Sequence, residues 1–179
     1  DEMRRVDRAL VGGADVAECQ RLGLFGIWSL SQQVRPLLDY VKASKATVRP
    51  LEMAGFDNQV TSDAGASPWP REVVEFFDKA DPGLLTPQQR AAPKEVFDWL
   101  AALGGNDPPK RPEAVERLQE MAAMLDKPGE KMAAAYSAAE IGFTRRTLIN
   151  AVEYALQSSG GLGDDTDDSR RDRAMGQNL

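Results

Sequence analysis

KMAAAYSAAEIGFTRRTLINAVEYALQ, residues Lys131–Gln157, lies in the longest proline-free run of the chain and is rich in alanine and other strong helix formers. As a single helix it would reach about 40 Å at 1.5 Å per residue. Met132, Tyr136, Ala139 and Phe143, then Leu148, Val152, Ala155 and Leu156, recur mostly at three- and four-residue steps, which sets one stripe against a core. The phase slips between Phe143 and Leu148. Gly142 stands beside the slip and costs about 1 kcal/mol relative to alanine inside a helix, while Thr144 has the side chain of an N-cap. The spacing therefore predicts a kink or break near Gly142, with Arg145 and Arg146 opening the second half. Ser158 to Gly161, SSGG, supplies the stop.

Working outward, each neighbouring segment carries its own helix signals. Arg111-Pro112-Glu113 starts the cleanest amphipathic pattern, with Val115, Leu118, Met121, Ala122 and Leu125 inside, and Lys127-Pro128-Gly129 ends it. Thr86-Pro87-Gln88-Gln89 is a capping-box variant with proline at the first helical position. Pro93 is expected to restart or bend that helix before Val96, Phe97, Trp99, Leu100 and Leu103 pack inward. Pro70 starts Arg71–Lys79, whose Val73, Val74, Phe76 and Phe77 give a broad apolar face. At the other end, Glu2–Val11 and Val16–Leu22 read as short helices, the second capped by Asp15. Ile27, Leu30, Val34, Leu37, Leu38 and Val41 form a stripe that Pro36 bends or restarts. Trp28 reads as core. Between Ala46 and Trp69 there is no helical period, and Phe56 is the one large apolar anchor.

No alternating strand pattern interrupts this series. The expected fold is all-α: an irregular helical bundle with short proline-punctuated helices, an N-terminal helical arm and an extended polar C-terminal tail. The organisation expected is an arm over 1–23, a core over 24–157 with a long loop at 46–69, and a tail over 158–179.

Composition narrows the chemistry. A chain of 179 residues with 42% hydrophobic content can bury a core without staples. Histidine is absent, which removes the usual general base near neutral pH and the commonest metal ligand. Cys19 is the single cysteine and reads as a small buried residue rather than a nucleophile. The carboxylates of Gly163–Asp168 lack the glycine and distant glutamate of a calcium loop and read as a solvated acidic tail. With no phosphate loop, dinucleotide fingerprint or metalloprotease helix, no catalytic, cofactor-binding or metal residue is assigned. No run has the length of a membrane span and no signal-peptide pattern occurs, so the expectation is a soluble chain without membrane insertion, in a virion or the cytoplasm. The start at Asp1 reads as a processed or trimmed terminus.

The formal charge of −6 argues against wholesale wrapping of nucleic acid. Local basic groups nevertheless occur at Arg4, Arg5 and Arg8 and at Arg145 and Arg146, and these are the candidate anion or nucleic-acid contacts. The function expected is a non-enzymatic structural or assembly subunit, of coat, capsid-associated or connector type. Its arms and tail would order against copies of itself or other subunits. The alternative is a nucleic-acid-binding coat protein or nucleoprotein, and a carboxylate-based or metal-dependent enzyme is the third choice.

Overall fold

The computed structural model describes residues 2–23, 30–53, 67–102 and 110–158, with residues 2–5 and 22–23 described as backbone only. Trp28, Ile27, Phe56 and Leu103, the middle of the predicted loop, and the tail after Ser158 lie outside the described residues. Among the described residues all regular structure is helical. The helices are α1 (Glu2–Val11), α2 (Val16–Gly23), a 3-10 turn (Gln32–Val34), α3 (Arg35–Ser44), α4 (Trp69–Ala80), α5 (Pro87–Ala102), α6 (Ala114–Met124), α7 (Glu130–Ala135) and α8 (Ala138–Ser158). The chain divides into two compact units, residues 1–56 and 57–179, so the division falls within the 46–69 stretch rather than at 23/24.

In the 1–56 unit, Val6, Leu10, Val16, Cys19, Leu38 and Val41 form the core. The helices expected over 1–23 thus pack with α3 in one unit. α1 ends in a Schellman motif, with the Ala14 amide on the Ala9 carbonyl at 3.0 Å and the Gly13 amide on the Leu10 carbonyl at 3.1 Å. Gly13 takes the left-handed φ of 86° that this ending requires. Asp15 caps α2 as the sequence predicts, its Oδ1 accepting from the Ala17 and Glu18 amides at 2.9 and 3.1 Å. α3 restarts at Arg35 with Pro36 in its first turn. The apolar stripe does not run unbroken back to Leu30, which is exposed. The 3-10 turn advances about 120° per residue rather than 100°, so the residues before it lose phase with α3.

In the 57–179 unit, α6 is the central helix, packed against α5 on one side and α8 on the other. Val115, Leu118, Met121, Ala122 and Leu125 are all buried, as their spacing predicts. They meet Val96, Trp99 and Leu100 of α5, Ile141, Leu148, Val152 and Ala155 of α8, and Val73 and Phe77 of α4 in one core. The Thr86 capping box is formed in both directions: the Gln89 amide donates to Thr86 Oγ1 at 3.2 Å, and Gln89 Oε1 accepts from the Thr86 amide at 3.0 Å. Pro93 does not end α5. Its ring is fully buried within a helix that continues to Ala102, so packing outweighs the lost backbone hydrogen bond.

The stretch 131–157 is broken, but at Tyr136 and Ser137 instead of at Gly142. Ser137-Ala138-Ala139-Glu140 is itself a capping box, with the Glu140 amide 3.3 Å from Ser137 Oγ and the Ser137 amide donating to Glu140 Oε2 at 2.8 Å. Tyr136 turns extended to make the break, and its ring stacks on Phe76 at 4.0 Å while its hydroxyl donates to the Phe76 carbonyl at 2.9 Å. Burial raises the Tyr136 pKa, and the nearby Glu140 adds to the shift. α8 continues through Gly142 without a break, and the core residue of that turn is Ile141, two turns before Leu148, whereas Phe143 is only half-buried. Beyond its chain neighbours and the backbone of its own helix turns, a Cβ at Gly142 would meet no atom within 4 Å, and the residue lies inside the helix without a positive φ. Gly142→Ala should therefore stabilise the unit by about 0.5–1 kcal/mol, seen as a higher midpoint in thermal unfolding followed by circular dichroism.

The α4–α5 turn is held by charge. Arg90 of α5 reaches back to Asp78 at 2.9 Å and to the Pro82 carbonyl, and Lys131 of α7 reaches Asp81 at 2.8 Å. The hydrogen bond from Arg90 is the main cause that lowers the Asp78 pKa; for Asp81 it is the bond from Lys131, followed by the Gly83 amide. Carboxylates depressed on folding contribute stability that is present above their unfolded pKa, near 4, and is lost as pH falls through their folded values. The melting temperature should thus fall with acidification below about pH 4. The decline should be shallower in Asp78→Asn, and an unchanged slope would remove this pair from the acid response.

Candidate functional site

Among the described residues, α3 carries an apolar surface that α1 and α2 leave uncovered. At 100° per residue, Leu38 and Val41 lie on the side that meets α1 and α2, and both are buried. Pro36, Leu37, Tyr40 and Ala43 lie on the adjoining side, and all four are exposed, Leu37 at 59% and Tyr40 at 65%. The helix is therefore apolar over a wider arc than α1 and α2 cover. Its charged residues Arg35, Asp39 and Lys42 fall around the remaining arc.

Two lysines fix α3 in place. Lys42 Nζ donates to the Ala14 carbonyl at 2.7 Å, a cation set on the exposed carbonyls after α1. Lys45 Nζ lies 2.6 Å from Asp7 Oδ1 of α1, and the same oxygen accepts from the Met53 amide at 2.8 Å. Lys45 also donates to the Leu51 carbonyl, and the Leu51 amide donates to Ser44 Oγ at 3.0 Å. The returning chain is thereby laid beside the end of α3, where Leu51 and Val48 are exposed along with Leu30 before the helix. The sequence spacing sets Leu30 and Leu37 in one apolar stripe with Leu38 and Val41, but the first two are exposed. The sign that could have corrected it was the ready supply of apolar residues on both sides of α3, more than two short helices can cover.

The basic residues singled out from sequence are divided between the two units. Arg4, Arg5 and Arg8 lie on α1, with Arg8 exposed and the side chains of the other two outside the described residues. Arg145 and Arg146 lie inside α8, two turns past its start, so the free amides and positive helix end expected beside them are at Ser137 instead. Arg145 Nε is hydrogen-bonded to Asp126, and Arg146 has interactions of its own.

The 57–179 unit has an open hollow of about 340 Å³ lined by Leu125, Pro128, Ala133, Tyr136, Ala138, Ile141 and Gly142. The only cysteine is buried, and burial is the main cause that raises its thiol pKa, away from the thiolate a nucleophile needs. Among the described residues no group of three or more His, Cys, Asp or Glu side chains is placed to hold a metal ion, and no helix is long and apolar enough to cross a membrane.

Charge is divided unevenly between the units. Residues 1–56 carry eight Lys and Arg against seven Asp and Glu, a net +1, and residues 57–179 carry fourteen against twenty-one, a net −7. Comparison of the chain with protein-family models, with curated proteins and with solved structures finds no match.

Proposed function

We propose that this chain is a non-catalytic assembly subunit that associates with copies of itself or with partner subunits. The observation that supports it is the uncovered apolar side of α3, continued by the exposed Leu30, Val48 and Leu51 on the flanking chain. Scattered exposed leucines are ordinary on a protein surface, whereas a run on one helix side adjoining the core marks a contact region. Coat, capsid-associated and connector proteins are the types of subunit to which such a chain would belong.

The nucleic-acid alternative gains no support from α8, where Arg145 is engaged by Asp126 in mid-helix. Light scattering of the full chain over a range of concentrations tests the proposal. An average mass that rises with concentration is expected, and a strict monomer throughout would reject self-association.

A further inference from the structure

Resting on that assembly role, we infer that the Pro36, Leu37, Tyr40 and Ala43 side of α3 is where two copies of this chain meet, each presenting the same face about a two-fold axis. Three observations favour a second copy as the occupant. First, the face carries no charge, since Arg35, Asp39 and Lys42 lie around the rest of the helix. A surface that must oppose itself avoids like-charge contacts only if it is self-complementary or uncharged.

Second, two copies repel most strongly through their 57–179 portions at net −7, and least through the 1–56 units at net +1. A contact through α3 joins the two nearly neutral units. A strongly basic partner would be steered to the acidic portion rather than to this neutral helix.

Third, the face suits close helix packing, because Pro36 and Ala43 are small and flank the larger Leu37 and Tyr40. Ridges of this kind let helix axes approach to about 8–10 Å. With Leu51 beside the end of α3 the patch still holds far fewer than the roughly 20–30 residues a side of a standard interface. The contact is consequently weak and concentration-dependent.

The test uses the full chain. In Tyr40→Cys the introduced thiol is the accessible one, because Cys19 is buried. Treatment with oxidised glutathione should give a disulfide-linked dimer, formed faster as protein concentration rises. Glu113→Cys, exposed at the start of α6, should stay largely monomeric under the same conditions. Cross-linking of Tyr40→Cys no faster than of Glu113→Cys would overturn the two-fold contact.

Tyr40→Asp, checked for unchanged helical content by circular dichroism, should raise the dissociation constant at least about tenfold, since it buries an unpaired charge in the contact. If the wild-type chain associates and Tyr40→Asp associates equally well, the α3 contact is wrong while the assembly role stands. If the wild-type chain stays monomeric, the α3 contact and self-association both fall, and only assembly with other subunits stands.

Discussion

Phe77→Ala is expected to destabilise the 57–179 unit by about 3–5 kcal/mol, a large part of the roughly 5–15 kcal/mol that holds a typical domain together. Phe77 is fully buried on α4 and meets Phe76 edge to face, with centroids 5.8 Å apart. It also shares a core with α5, α6 and α8, so truncation leaves a cavity on which several helices border. A fall in melting temperature on the order of 20 °C should follow for a unit of this size. Phe77→Leu, which keeps most of the volume, should lose much less. Equal losses in the two variants would mean that the site collapses freely around a smaller side chain.

The second large effect is expected at Asp7, and it should be confined to the 1–56 unit. Asp7→Ala leaves the Lys45 ammonium without its carboxylate and the Met53 amide without its acceptor. Removing one partner of a buried ion pair costs about 3–5 kcal/mol; here both side chains retain 12% exposure, and screening brings the expectation to about 2–3 kcal/mol. A unit of this size has little stability to spare. Hydrogen exchange should therefore show α1 and α3 losing protection while α6 and α8 keep theirs, because among the described residues the two cores share none. Asp7→Asn retains an acceptor for the Met53 amide and should be the milder change. Loss of protection in α6 and α8 together with α1 would show the two units to unfold as one.

The sequence carried most helices because their signals are local. Proline at the starts of α3, α4 and α5, the Asp15 cap and the Thr86 box each act within one turn, and the structure forms all of them. The i, i+3, i+4 run of α6 likewise became its buried face, because that helix has neighbours on both sides. Misplacement of the break in 131–157 has a physical cause. A glycine penalty of about 1 kcal/mol is small beside the burial of Ile141 and Leu148, and a two-way cap at Ser137 is worth as much in the opposite sense. The signal for the correct break, serine followed three residues later by glutamate, was present in the stretch. It was masked by alanines that suit a continuous helix.

The candidate surface was less legible. Leu37 and Leu38 are adjacent and equally apolar, and only the placement of α1 and α2 decides that Leu38 is buried and Leu37 is not. Pattern reasoning places an apolar stripe but not the width of what covers it. The basic pairs were visible for the opposite reason, being conspicuous in composition. For Arg145 the structure gives local duty to Asp126.

Hydrogen exchange of the full chain at low and high protein concentration tests association through α3 most directly. Peptides covering Arg35–Ser44 should gain protection as concentration rises, while those covering Ala114–Met124 and Ala138–Ser158 should exchange at the same rate at both. Protection of α3 that does not change with concentration, or a gain confined to α6 and α8, would contradict it.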